Sequence, residues 1–242
     1  MIPKVIHYCW FGRSPLPELA KKCISSWKKY LPDYEIKQWN EDNFDVNISN
    51  YTKEAYRLKR YAFVSDYARI WILYHYGGVY FDTDVEVIAP MHKMLSCGPF
   101  LGREKGEDGT DSNIAFGLGM SAKPKMKFLE DLLNAYNQRH FAYWTGKNPE
   151  TIVNFVSGII HSKQEKMIHL SDGIDKYEDF YIYPSAVLCP MNYYTGALEI
   201  TPETVSIHHY TSLWVKKEEG LKDKIARHFA IFKARFLTSL GF

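Results

Sequence analysis

Residues 65–88 read SDYARIWILYHYGGVYFDTDVEVI, and this stretch limits the chain more than any other. Phe63, Tyr67, Ile70, Trp71 and Tyr74 recur at spacings of three and four, as the buried face of a helix requires. Asp66 and Arg69 fall together on another face. Gly77 and Gly78 supply backbone that stops a helix, and Val79-Tyr80-Phe81 then reads as a strand. A strand leaving its core at Asp82 and Asp84 puts two hard oxygen donors at a sheet edge, where α/β proteins bind ligands. Two such carboxylates can share a divalent cation that keeps positions open for phosphates. An isolated Asp-x-Asp is otherwise an ordinary acidic turn.

At 242 residues the chain suits one large domain, or one domain with a small appendage. A formal net charge of +2 gives no bulk electrostatic argument for nucleic acid. Cys9, Cys23, Cys97 and Cys189 lie too far apart for a zinc site or a compact disulfide framework. They read as reduced thiols of a cytoplasmic protein. No signal peptide and no bilayer-spanning apolar stretch is expected.

Upstream, IPKVIHYCWFG (2–12) reads as a first strand whose end offers His7, Trp10 and Gly12 as a nucleotide-base pocket. A helix with Leu19, Cys23, Ile24 and Trp27 on one face follows, then a half-buried strand over 34–39. This β-α-β opening implies parallel pairing. Residues 40–60 read as a polar loop and a surface helix. Downstream, 102–113 reads as an exposed loop, 114–120 as a strand, 124–136 and about 149–161 as helices, and 168–170 and 181–184 as short strands. Asn113 stands where a substrate contact or a plain turn asparagine would. In VSIHHY (205–210) alternation puts His209 with Val205 and Ile207, and His208 with Ser206 and Tyr210. Either histidine is a candidate third ligand for the cation at Asp82 and Asp84. Residues 216–242 carry an apolar stripe on a basic background, suited to docking on the domain or lying in a membrane interface.

With IPKVIHYCW, SDYARIWILYHYGGVYFDTD and IHHYTSLW in this order, the chain resembles the DxD-containing sugar transferases of glycosyltransferase family 32. The group includes capsular polysaccharide and lipopolysaccharide transferases. The central segment also resembles that of the glucosylating clostridial toxins. The resemblance implies an α/β fold of the GT-A type with a central mostly parallel sheet, expected over residues 1–215, and the spacing described above gives a basic amphipathic helix over 216–242. It implies retaining transfer of a hexose from a nucleotide sugar, such as UDP-galactose, UDP-glucose or an N-acetyl relative, to a glycan or lipid-linked acceptor.

By the same resemblance Trp10 stacks on the base, Asp66 and Arg69 contact the donor ribose and sugar, and Tyr80 lines the donor pocket. Asp82 and Asp84 hold Mn²⁺ or Mg²⁺ with the diphosphate. Ser212 and Trp214 match the toxins' C-terminal motif, whose metal-binding carboxylate is replaced here by His209, which favours that histidine over His208. Ser212, Trp214 and Lys216 then offer donors to the departing phosphate. The expected location is the cytoplasm or the inner face of the cell membrane, with peripheral contact through 216–242. A non-catalytic membrane- or carbohydrate-binding protein, with a structural acidic pair, is the competing expectation.

Overall fold

The computed structural model describes residues 1–111, 113–141 and 150–211. The expected helix over 216–242 lies outside them. Strand β1 (Val5–Cys9), helix α1 (Glu18–Tyr30) and strand β2 (Glu35–Trp39) form the expected opening unit, and β1 pairs with β2 in parallel. Helices α2 (Asn50–Arg57) and α3 (Tyr61–Tyr76) lead to β3 (Gly78–Tyr80), which joins β1 on its other side, also in parallel. Then come β4 (Val85–Val87), α4 (His92–Cys97), β5 (Phe100–Glu104), β6 (Asn113–Ala115), β7 (Met120–Ala122) and α5 (Lys127–Asn137). The remaining elements are α6 (Ile152–His161), β8 (Met167–His169), β9 (Asp175–Tyr177), β10 (Phe180–Tyr183), α7 (Ser185–Leu188) and β11 (Ser206–His208).

The large sheet runs β2-β1-β3-β7-β5-β10-β9-β8, with β6 paired to β5. Among the described residues β2, β1, β3, β5, β10 and β8 share one direction, and β7, β6 and β9 oppose it. Most strands are therefore co-directional, although β7 separates the two parallel groups. Strand alternation assigns the faces. Ile6, Tyr8, Val79 and Phe81 pack on the side of α1 and β4, whereas Cys9 and Tyr80 pack on the side of α2, α3, α5 and α6.

Three sequence expectations change in detail. Helix α3 is enclosed over most of its circumference: Phe63, Val64, Asp66, Tyr67, Arg69, Ile70, Ile72 and Leu73 are buried, while Trp71 and Tyr74 are only half-buried. Gly102-Arg103-Glu104 belong to β5 rather than to an exposed loop, and a side chain at Gly102 would meet Leu118 at 2.3 Å. The single strand expected over 114–120 is instead β6, a glycine-containing turn and β7, so Asp82 meets the turn between them, its amide donating to Gly117 O at 2.9 Å.

Gly77 and Gly78 end α3 as expected, with φ of 63° and 99°. A Cβ on Gly78 would stand 2.6 Å from Val5 O, so the turn requires both left-handed backbone and close approach to β1.

Candidate active site

Because Tyr80 faces α3, Asp82, two residues further on, is carried out on the same side, where Arg69 waits. The Arg69 guanidinium reaches Asp66 at 3.1 Å and Asp82 at 3.2 Å. The Tyr80 hydroxyl donates to Asp82 Oδ1 at 3.0 Å, and the guanidinium lies 5.0 Å from the Tyr80 ring centre. One buried cation thus serves two carboxylates. Burial pushes the Asp66 carboxyl up to about 7, against the pull of Arg69 and with the charge of Asp82 adding to the rise. Burial opposes the charge on Arg69, but Asp82, Tyr80 and Asp66 hold it firmly protonated. A Cβ on Gly117 would fall 2.1 Å from Asp82 Oδ2, so the close approach of this turn needs glycine.

Asp84 has different partners. Strand β11 pairs antiparallel with β4, placing His208 opposite Val85. His208 Nε2 lies 3.2 Å from Asp84 Oδ1, while the Thr211 amide and hydroxyl donate to Asp84 Oδ2 at 2.9 and 2.8 Å. Burial would raise the Asp84 carboxyl, but His208 and Thr211 hold it well below the usual carboxylate range. Burial opposes the His208 charge in turn, and Asp84 raises its pKa well above the ordinary value.

The β4–β11 pairing sends the two histidines to different carboxylates. His208 faces Asp84 together with Tyr210, whose ring centre is 4.2 Å away. His209, the ligand favoured by resemblance, turns instead to Glu86 at 2.9 Å, a carboxylate also bound by Lys22. Its imidazole therefore does not meet Asp84.

Other candidate residues separate into two groups. His7 is spent on the fold: its Nε2 donates to Gly77 O at 3.0 Å and its Nδ1 accepts from Trp39 Nε1 at 3.1 Å. Burial lowers its pKa to about 4, so it is a neutral core crosslink rather than part of a base pocket. Trp10 is half-buried just beyond β1, and its Nε1 donates to Ser14 O at 2.6 Å. Gly12 donates its amide to Glu41 at 2.6 Å. Asn113 opens β6 opposite Glu104. Ser212, Trp214 and Lys216 lie outside the described residues.

Thr211 and Gly117 were not singled out from the sequence. A Thr immediately after His-His-Tyr carries no spacing signal of its own. Gly117 lies within Phe116-Gly117-Leu118-Gly119, which looks like a strand until the tertiary contact is known.

Among the described residues no three His, Cys, Asp or Glu side chains converge as a metal cage. Asp84 and His208 nevertheless fit a cation that takes its other ligands from phosphate and water. Two neighbouring ligands about 2.1 Å from an octahedral cation stand about 3 Å apart. The 3.2 Å between Asp84 Oδ1 and His208 Nε2 is close to that spacing, and a divalent cation would replace the positive charge now supplied by the imidazolium. A cavity of about 750 Å³ opens elsewhere, against Tyr67, Trp71 and Tyr74 of α3; the two aspartates do not line it.

Residues 17–101, which include Asp66, Arg69, Tyr80 and both aspartates, match the family model of the glycosyltransferase sugar-binding region containing a DXD motif. This stretch is therefore similar to the DXD-containing region of glycosyltransferases. Inositol phosphoceramide mannosyltransferase 1 of Schizosaccharomyces pombe is 30% identical over 154 residues, covering 58% of this chain and 45% of that protein. Inositol phosphoceramide mannosyltransferase 3 of the same yeast is 26% identical over 155 residues, covering 60% and 41%. The matches thus span less than half of the length of these relatives. The PaToxG glycosyltransferase structure superposes with a TM-score of 0.50 at 16% identity, over 67% of this chain and 70% of that one, a likeness of fold. The DXD region accordingly sits in a fold of the GT-A type.

Proposed function

We propose that the protein is a metal-dependent, retaining hexosyltransferase that takes its sugar from a nucleotide donor and delivers it to a lipid-linked or glycan acceptor. The observation that carries the reading is the paired setting of the two aspartates. Asp82 is fixed by buried Arg69 and Tyr80, and Asp84 is offered with His208 at a spacing suited to a shared cation. The names of the yeast relatives favour mannose as the hexose and an inositol-phosphate lipid as the acceptor.

A bound Mn²⁺ or Mg²⁺ would supply Lewis-acid neutralisation of the leaving diphosphate. Asp84 and His208 would hold it. Arg69, kept charged by two carboxylates, orients Asp82 and Asp66 toward the donor sugar and ribose. Trp10, half-buried beyond the end of β1, offers a face to the base. Retention follows from same-face attack by the acceptor hydroxyl, its proton passing to the departing phosphate oxygen, so no protein nucleophile is required.

The decisive test is a panel of nucleotide sugars, UDP-galactose, UDP-glucose, their N-acetyl relatives and GDP-mannose, assayed for Mn²⁺-dependent release of nucleoside diphosphate. Release from one donor, stopped by EDTA, is expected. EDTA-resistant sugar release would point to a hydrolase, whose two carboxylates must flank the sugar at about 5 Å or more. No turnover and no binding of any donor would leave the acidic pair structural.

A further inference from the structure

Residues 191–200, MNYYTGALEI, form a tight hairpin whose surface is unlike that of an ordinary loop. Residues 193–200 are eight consecutive exposed positions. They hold Tyr193, Tyr194, Leu198 and Ile200, each between 44% and 56% exposed. Loop tips are normally polar, and a cluster of exposed apolar side chains marks a contact surface.

The hairpin is also internally ordered. Met191 bridges to Leu198, the Asn192 amide donates to Ala197 O, and Asn192 Oδ1 accepts from the Tyr194 and Thr195 amides at 2.8 and 3.0 Å. Presenting these side chains therefore needs little further ordering. Its single charged side chain, Glu199, is paired with Lys105 at 3.0 Å, so the hairpin carries no uncompensated charge.

Its position ties it to the candidate site. The Tyr193 ring centre is 5.2 Å from that of Tyr210, whose hydroxyl donates to Glu104 at 2.8 Å and whose ring lies against His208. An acceptor held beside this hairpin is thus close to Asp84.

We propose that residues 191–200 dock the protein on the surface of a bilayer, with Tyr194, Leu198 and Ile200 entering the headgroup and upper acyl region, so that the site meets a membrane-embedded acceptor. The proposal rests on the lipid-acceptor form of the proposed function. A bilayer fits better than a protein partner because the feature is a small hairpin, whereas a stable protein interface covers about 800 Å² on each side. Tyrosine beside leucine and isoleucine, without net charge, matches the polarity gradient of a membrane interface.

The full chain is tested by co-sedimentation with phosphatidylcholine vesicles, which carry no net charge and so give little attraction to basic residues. The Tyr194→Ser/Leu198→Ser/Ile200→Ser variant is expected to lose about tenfold or more in partitioning, as loss of its exposed apolar area requires. Its release of nucleoside diphosphate from soluble donor should be unchanged. Tyr194→Trp should keep vesicle binding and show, when vesicles are added, a blue shift in emission beyond that of the wild type with its six tryptophans. Vesicle binding equal to wild type in the triple variant, with no shift in Tyr194→Trp, overturns the proposal.

Two other occupants give distinct overturning results. Cover by the chain's own residues 212–242 would lower the Tm of the triple variant without changing vesicle binding. A second copy of the chain would be lost as a fall in mass by light scattering. Failure of every donor in the nucleotide-sugar panel would instead sink the transferase reading, and vesicle binding is measured without any donor.

Discussion

Asp82 and Asp84 are separated by one residue yet are held by different parts of the molecule. Asp82 belongs to a local unit: Arg69, Asp66 and Tyr80 all lie within 16 residues of it, on the helix and strand that deliver it. Asp84 is closed by His208 and Thr211, more than 120 residues away, through the β4–β11 pairing. Asp82 is held against a cation that the protein builds in. Asp84 is held by the imidazole of His208, an ionisable group. In the proposed function the first carboxylate would orient the donor, and the second would exchange a proton-borne charge for a divalent one.

The strongest challenge to this division is Asp84→Asn, expected to reduce metal-dependent nucleoside diphosphate release at least about a thousandfold, or about 4 kcal/mol. Undiminished turnover in a steady-state assay would remove Asp84 from the centre of the site. Next, Arg69→Leu should cost about 3 kcal/mol of stability by urea unfolding, because it leaves Asp66 buried and Asp82 partly buried without their cation. A loss below about 1 kcal/mol would mean that the local unit does not depend on this pair.

The two histidines provide a sharper comparison. His208→Ala should weaken Mn²⁺ binding about 10- to 100-fold by calorimetry. His209→Ala, which breaks only the contact with Glu86, should stay within about threefold. The reverse ranking would restore the assignment suggested by resemblance.

A further test concerns pH. The folded-state pKa of Asp66 is raised from 3.8 to about 7, so the folded protein binds more protons than the unfolded chain between those values. Stability should therefore fall as pH rises from about 4 to about 7, and Asp66→Asn should flatten that slope in urea titrations. An unchanged slope would show that Arg69 keeps Asp66 ionised throughout.

How much was legible in the sequence follows the same division. Helical spacing, the glycine pair and strand alternation are local rules, and Asp66, Arg69, Tyr80 and Asp82 obey them, so their grouping could be read from one segment. Alternation also placed His208 with Tyr210 on one face and His209 on the other. It left open which face meets Asp84, because that depends on pairing with a strand far away in sequence. His7 illustrates the opposite failure. A histidine near the end of a first strand looks like a ligand-pocket residue until Trp39 and the Gly77 carbonyl are found on its two nitrogens.

Residues 65–88 by themselves determined a helix, a glycine stop and a strand delivering two carboxylates to a sheet edge, since these follow from backbone sterics and the periods of helix and strand. Tertiary structure alone decided the insertion of β7 beside β3, the close approach of Gly117 to Asp82, the choice of His208 for Asp84 and the exposure of the hairpin over 191–200. These depend on which distant segments share a neighbourhood, and that is set by burying a common core rather than by any local spacing.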